Sequence, residues 1–159
     1  MPALLDHIDP NGLEEFSVVF TDRSLNHMSK EFQQVMCDLS SNLKEVYNSD
    51  AVVLVPGGGT FAMEAVARQF GIEANVMVIR NGWFSYRWSQ IFETSSNARS
   101  TTVLKARMIG NEPLAPFRPA EVDEVIKKIK ADKPDIVFAP HVETSAGVIL
   151  PDDYIKKVA

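Results

Sequence analysis

The sequence is poor in cysteine and has no long apolar run. Cys37 is the single cysteine of the 159 residues, so no disulfide can form within the chain, which fits a reducing compartment. Apolar runs are as short as a strand, for example residues 51–55, whereas a membrane-spanning helix needs about 20 apolar residues. The first residues lack the basic and apolar stretches of a secretory signal. We therefore expect a cytoplasmic protein without a membrane partner, with an organelle as the alternative location.

A surplus of basic residues is also absent. Sixteen Lys and Arg against 21 Asp and Glu give a net charge of -5 and a pI near 5.2. Because a nucleic-acid-binding protein usually carries a basic face, we expect no nucleic-acid partner. Hydrophobic residues make up 45% of the chain and charged residues 23%, which excludes a disordered or collagen-like protein. At this length the chain is one domain or part of a larger one.

A long helix is predicted near the N-terminus. Ser29 is a suitable N-cap, and apolar residues recur after it at the spacing of one helix face. This stripe consists of Phe32, Val35, Met36, Leu39, Leu43, Val46 and Tyr47. We expect the stripe to be buried.

The remainder of the chain alternates between strand-like and helix-like segments. The predicted strands are residues 51–55, 75–79, 101–106 and 136–139. The predicted helices are residues 61–70, residues 84–92, one that opens near Pro119 and one that opens at Pro151. Apolar strands joined by helices predict an α/β fold, with a mostly parallel sheet flanked by helices. Ligands of such sheets bind beyond the carboxyl ends of the strands.

A glycine-rich loop, Gly57-Gly58-Gly59-Thr60, joins the first predicted strand to its helix. Glycine lets a ligand approach the backbone, and the N–H groups of a helix N-terminus favour an anion. The loop therefore predicts a phosphate site, with a plain tight turn as the alternative. It is not a P-loop, because no Gly-Lys-Ser/Thr follows.

The same loop also matches a loose dinucleotide fingerprint. Gly57, Gly59 and Ala62 fit the pattern G-x-G-x-x-A. The next predicted strand ends at Arg80, where an arginine would favour the 2′-phosphate of NADP over a ribose hydroxyl. An NADP-binding oxidoreductase domain is therefore a second hypothesis.

Residues 81–88 and 141–147 follow two of the strands and carry further candidate groups. The first segment holds four aromatic residues, one of which could stack on a planar ligand while Trp88 packs in the core. Arg87 could pair with a carboxylate. In the second segment His141 and Glu143 have no third ligand at a recognisable spacing, so no metal site is expected.

Taken together, the three segments resemble the class V aminotransferases, the pyridoxal-phosphate enzymes that include alanine–glyoxylate and serine–glyoxylate transaminases. Residues 57–65, 81–88 and 141–148 carry the resemblance, in the family's order and spacing, and residues 26–32 resemble its N-terminal segment. The resemblance implies the large domain of pyridoxal-phosphate fold type I. It also implies pyridoxal 5′-phosphate as cofactor and a homodimer for the full-length protein.

The resemblance assigns roles to individual residues. Gly58, Gly59 and Thr60 would hold the cofactor phosphate, Phe84 would stack on the pyridine ring, and Thr144 would lie near the ring 3′-oxygen. Supporting or substrate-side positions are Asn26, His27, Arg87, His141 and Glu143.

The family's Schiff-base lysine has no counterpart among the nine lysines of this chain, and its pyridinium-binding Asp is also missing. We therefore expect no catalytic residue within the chain, which we interpret as the N-terminal portion of such an enzyme. Residues 1–50 would form an N-terminal segment with the long helix, and residues 51–159 the first part of the large domain, with the small domain absent. The full-length reaction implied is amino transfer from alanine or serine to a 2-oxo acid such as glyoxylate or pyruvate. An inactive, partner-binding fragment is the remaining alternative.

Overall fold

The computed structural model describes residues 27–159 of the chain, so Asn26 lies outside the described residues. The chain divides into two compact units, Met1–Val55 and Pro56–Ala159. The first unit contains helix α1 (Lys30–Tyr47). The Ser29 hydroxyl caps this helix by accepting a hydrogen bond of 3.1 Å from the Phe32 N–H. The predicted start of the long helix is confirmed.

The apolar stripe of α1 is not the buried face that its pattern predicts. None of the residues of α1 is buried, and Val35 and Leu39 are 40% and 43% exposed. The 3.6-residue period makes the helix amphipathic, but it does not specify what covers the apolar face.

The strand predicted at residues 51–55 is wrong. These residues form no regular secondary structure, and Val53 is 83% exposed. An apolar run becomes a buried strand only where another strand accepts its backbone hydrogen bonds, and no strand in residues 27–159 pairs with it.

The second unit holds four helices and seven strands among the described residues. In chain order they are α2 (Gly59–Phe70), β1 (Asn75–Arg80), α3 (Trp83–Ser95), β2 (Ser100–Lys105), β3 (Arg107–Met108), β4 (Phe117–Arg118), α4 (Val122–Asp132), β5 (Ile136–Phe138), β6 (Val142–Glu143), β7 (Val148–Ile149) and α5 (Asp152–Val158).

Three of these strands form a parallel sheet in the order β2-β1-β5. In the register Val76 lies opposite Thr101 on one side and Ile136 on the other. The predicted α/β class, with a parallel sheet flanked by helices, is confirmed at this level. Three of the four predicted strands are present within one residue at each end.

Helices cover both faces of the sheet, and the side chains of β1 alternate between two cores. On one face Val76 and Val78 pack with the α2 and α3 core residues Ala67, Ile91 and Phe92. On the other face Met77 and Ile79 of β1 pack with Leu104, Ala120 and Val125. The four β1 residues 76–79 are therefore at most 1% exposed, which explains their continuous apolar run.

Of the two helix starts predicted at prolines, one is wrong and the other is confirmed. Pro119 does not open α4, because that helix begins at Val122 with Glu121 as its N-cap. Pro151 does cap α5, as predicted. Gly71 ends α2 with a φ of -97°, which any residue can adopt. Glycine is needed there because a side chain would have no room. A Cβ there would clash with Cε1 of Phe92.

The predicted loops contain two short antiparallel pairs that the sequence did not reveal, β3 with β4 and β6 with β7. Each strand has two residues, too short to produce a period-two pattern. In the described part of the chain, no helix combines the length and the apolar character that crossing a membrane requires.

Candidate functional site

The connections that leave β1 and β5 meet at the carboxyl edge of the sheet. After β1 the chain enters α3 on one face, and after β5 it forms the β6–β7 pair and continues into α5 on the other face. Neighbouring strands whose connections diverge to opposite faces create the crevice where α/β proteins bind ligands. Residues 81–85 and 141–145 line the two sides of this point.

Glu143 joins the two sides. Its side chain is fully buried, and its carboxylate accepts hydrogen bonds from the N–H groups of Phe84 (3.0 Å) and Ser85 (2.7 Å). The Ser85 hydroxyl lies 2.6 Å from the same carboxylate, and the Ser145 hydroxyl also donates to it. The first-turn N–H groups of a helix have no partner within the helix, so Glu143 caps α3 from a segment nearly 60 residues away.

The hydroxyls of Ser85 and Ser145 accept hydrogen bonds from the remaining N–H groups of this turn. Ser85 Oγ lies 2.7 Å from the N–H of Asn81 and 2.9 Å from that of Gly82. Ser145 Oγ accepts from the Trp83 N–H at 2.8 Å. The N-terminus of α3 is therefore satisfied by side chains of the protein itself, which leaves no N–H of this turn for a foreign anion.

The charge state of Glu143 follows from two opposing effects. Burial alone would raise the pKa of the Glu143 carboxyl, but the hydrogen bonds from Ser145, Ser85 and the Phe84 N–H favour the ionised form. The net result is a pKa below its ordinary value of 4.5, so the group is a carboxylate near neutral pH.

Gly82 is required by the closeness of these groups. A Cβ at this position would lie 2.6 Å from Cγ of Glu143 and 2.7 Å from Oγ of Ser145. Any larger residue would push the capping carboxylate away from the helix. The glycine of the Asn81-Gly82 turn thus has a packing role that the sequence alone does not show.

Phe84 and Thr144 lie beside this network. The hydrogen bond between Glu143 and the Phe84 N–H holds the two segments together, and Thr144 is the next residue along the chain from Glu143. Phe84 is 50% exposed, and Thr144 is exposed. The structure therefore brings these two predicted cofactor positions to one edge of the sheet with accessible side chains.

The N-terminus of α2 differs from that of α3 in being open. Gly58 is the N-cap and has no side chain to bond the N–H groups of Gly59 and Thr60, for which the described residues provide no partner. A Cβ added at Gly58 or Gly59 would meet no atom within 4 Å. The terminus therefore offers free donors and open space together.

Helices α2 and α3 place their N-termini at the same end of the unit. Gly71, just after α2, contacts Phe92 near the end of α3, and the two helices have similar lengths. Thr60 and Arg87, near the two beginnings, line one cleft of about 250 Å³. Arg87 forms no ion pair in the described part of the chain, whereas Arg68 in the same cleft pairs with a glutamate of α2 at 2.7 Å.

Two further predicted positions are His141 and His27, and both are exposed. His141 is half-exposed, and its Nε2 is 4.0 Å from Oδ1 of Asp152, at the outer limit of an ion pair. His27 is exposed and belongs to the other compact unit. Among residues 27–159, no three His, Cys, Asp or Glu side chains are grouped so that they could hold a metal ion.

Sequence reasoning missed the capping function of two residues. Ser85 follows Gly82 by three positions, which is the capping-box spacing and could have indicated that role. Glu143 was assigned only a supporting role, and no local signal shows that its carboxylate reaches α3.

Comparison with known proteins gives distant similarity and no match to a family model. The chain is 26% identical over 147 residues to an uncharacterized aminotransferase of Helicobacter pylori, covering 92% of this chain and 36% of that protein. It is 28% identical over 127 residues to a soluble hydrogenase small subunit of Synechococcus, covering 79% of this chain and 31% of that protein. It is also 29% identical over 130 residues to a soluble hydrogenase 42 kDa subunit of Anabaena cylindrica, with the same coverage.

The chain therefore spans about a third of the length of the curated relatives that it matches. Over most of its own length it is distantly similar to an aminotransferase.

Proposed function

We propose that this chain forms part of the cofactor site of a class V, fold type I aminotransferase and binds pyridoxal 5′-phosphate. The observation that carries the proposal is the open N-terminus of α2 at Gly58, at the same end of the unit as Phe84 and Thr144. The distant aminotransferase similarity, which covers 92% of the chain, supports the same assignment.

The residues at the start of α2 fit a phosphate group. Gly59 and Thr60 offer backbone N–H donors without partners in the described residues, and the helix dipole favours a dianion there. The Thr60 hydroxyl adds a donor, and the exposed glycines leave room for the phosphate oxygens. The start of α3 does not fit, because Glu143 already occupies it.

The groups around Phe84 fit the aromatic part of the cofactor. A half-exposed ring at the sheet edge can stack on a pyridine ring, and the exposed Thr144 hydroxyl can bond its 3′-oxygen. Glu143 and Ser145 are positioning residues, since they fix the backbone of both segments through α3. The cofactor, when bound, supplies the electron sink for chemistry at an amino-acid α-carbon.

The reaction that we propose for the whole protein is amino transfer from alanine or serine to a 2-oxo acid such as glyoxylate or pyruvate. We assign the imine-forming role to none of this chain's lysines, so the proposed reaction requires a lysine that these 159 residues do not supply. We extend the proposal to a cytoplasmic homodimer with sites near the interface.

Binding of pyridoxamine 5′-phosphate to the purified chain tests the cofactor site. This form of the cofactor has no aldehyde and does not react with surface lysines, so calorimetry reports the site alone. Thr60→Val removes the proposed hydroxyl donor and should weaken binding about tenfold. Thr94→Val, in the same cleft but near the other end of α3, is the matched control and should leave affinity unchanged. Equal affinities for the wild type and both variants would refute the site.

The rival NADP hypothesis is tested by the same titration. Its fingerprint requires a strand, a turn and a helix in succession, and the residues before Gly57 form no strand. NADPH should therefore bind more weakly than pyridoxamine 5′-phosphate, and the reverse order would favour an oxidoreductase domain.

The reaction itself is tested on the protein encoded when the source DNA is read past the codon of Ala159. Addition of an amino donor should convert bound cofactor into its pyridoxamine form, which is followed by absorbance. Suppose that the reading frame continues to a lysine in the family context. If the encoded protein then makes no such conversion, the aminotransferase assignment is refuted. A stop codon directly after Ala159 would favour an inactive, partner-binding role for this chain.

A further inference from the structure

A second cavity, of about 410 Å³, lies where β1 and β2 end. Its lining includes Arg80, Asn81, Trp83, Lys105, Phe117 and Ser145. We propose that this cavity binds a small molecule that joins a carboxylate or phosphate group to a planar ring. None of the five proposed cofactor positions lines the cavity, so this site does not rest on the proposed function.

Two cationic side chains of the cavity wall can bind the anionic group of the ligand. Arg80 and Lys105 are partners in the parallel register, which places their backbones about 5 Å apart on neighbouring strands. In the described part of the chain neither forms an ion pair. The Arg80 guanidinium lies 5.2 Å from the centre of the Tyr86 ring. This contact does not use its N–H groups, so they can still donate to an anion. Two like charges at one strand edge favour an anion between them.

Asn81 provides an independent indication of a ligand. It is only 3% exposed, yet neither the nitrogen nor the oxygen of its side-chain amide has a hydrogen-bond partner within residues 27–159. Buried polar groups are almost always hydrogen-bonded, because an unpaired one lowers stability. Asn81 is part of the cavity wall, so a turn of its buried amide toward the cavity would let a bound molecule pair with these atoms.

Two aromatic residues of the cavity wall can contact the planar part of the ligand. Trp83 and Phe117 belong to separate segments, the start of α3 and strand β4, and both are more than half exposed. Their faces fit a planar apolar group, while the cations fit its charge. A volume near 410 Å³ is in the range of small-molecule sites.

Calorimetric titration of the chain with phenyl phosphate, benzoate and neutral benzyl alcohol tests the site. Both anions should bind at least about tenfold more tightly than the alcohol, and the preferred anion identifies the phosphate or carboxylate class. Lys105→Met should weaken binding of the preferred anion about tenfold. Lys130→Met, an exposed lysine of α4, is the matched control and should change nothing. Equal binding of the alcohol, or equal effects of the two lysine variants, would overturn the proposal.

Asn81→Ala separates a binding role from a structural one. Loss of the unpaired amide should weaken anion binding about tenfold without lowering the melting temperature. Unchanged affinity with a lower melting temperature would show that the amide serves the fold and would overturn its assignment. If this variant fails to fold, the exposed Lys105 still decides the question.

Thr60→Val distinguishes this site from the cofactor site. It should leave phenyl phosphate binding unchanged, and Lys105→Met should leave pyridoxamine 5′-phosphate binding unchanged. If phenyl phosphate instead responded to Thr60→Val and not to Lys105→Met, it would bind at α2. That result would overturn the second site while the proposed function stood.

Discussion

Replacement of Glu143 by glutamine tests whether the carboxylate cap holds the carboxyl edge of the sheet together. One carboxylate oxygen accepts from the Phe84 N–H and the Ser145 hydroxyl, the other from the N–H and hydroxyl of Ser85. Glutamine keeps one acceptor oxygen and replaces the other by an NH₂ donor. Hydroxyls can rotate to accept from the new donor, but a backbone N–H cannot. In either orientation of the amide, therefore, one buried N–H of α3 faces another donor.

The size of the effect follows from this geometry. An unpaired buried donor costs about 1–3 kcal/mol, and loss of a negative charge at a helix N-terminus about 0.3–2 kcal/mol. We therefore expect Glu143→Gln to lower the free energy of unfolding by about 2–4 kcal/mol near neutral pH. Urea denaturation followed by circular dichroism measures it. Glu112→Gln removes an exposed carboxylate that has no side-chain partner in the described residues, and should stay within about 0.5 kcal/mol of the wild type.

The pH dependence gives a second measure of the same cap. Because the pKa of Glu143 is lowered in the folded protein, the unfolded chain binds more protons and stability rises with pH. The contribution is fully present above the ordinary value of 4.5 and is lost as pH falls through the folded pKa. The gap between the wild type and Glu143→Gln should therefore shrink in acid. A gap below about 1 kcal/mol, or one independent of pH, would refute the capping argument.

Four further substitutions have expected effects on urea denaturation. Gly82→Ala should lower stability by about 1–3 kcal/mol, because its Cβ would lie 2.6 Å from the capping side chain. Gly58→Ala meets no atom within 4 Å and should lower stability by only about 0.5 kcal/mol, the cost of alanine in place of glycine at an N-cap. Equal effects of the two would contradict the packing argument. Met77→Ala removes a fully buried side chain of β1 and should cost about 2–5 kcal/mol. Tyr154→Phe removes the hydroxyl that donates to the Ala120 carbonyl at 2.9 Å and should lower the free energy of unfolding by about 1 kcal/mol. Unchanged stability would show that this bond contributes nothing to the fold.

The sheet was predictable because its strands carry their own signal. Residues 76–79 are apolar at every position, and only a strand covered by helices on both faces buries all of them. Residues 51–55 carry a similar signal and form no strand. The difference is the neighbouring strand, which β1 has on both sides and residues 51–55 lack among the described residues. A local pattern does not contain that information.

The candidate site was predictable in its segments but not in its connections. The glycine loop and the segments after β1 and β5 were located from their place after predicted strands, where α/β proteins bind ligands. The bond from Glu143 to the Phe84 N–H spans 59 positions, and nothing in either segment indicates it. The unpaired amide of Asn81 was hidden for the same reason, because its burial depends on the packing of segments distant in sequence.

The two helix N-termini at this end of the unit explain why an external anion would bind at one of them and not at the other. Each N-terminus has unpaired N–H groups and a favourable dipole for one negative group. At α3 that group is the Glu143 carboxylate, which is fixed by the fold. At α2 the N-cap is Gly58, which sacrifices only a few tenths of a kcal/mol relative to a serine cap and leaves the donors of Gly59 and Thr60 free. A cap that costs so little stability and keeps its donors open suits the phosphate site that we propose at α2, whereas at α3 the Glu143 carboxylate accepts from the Phe84 N–H and closes the terminus.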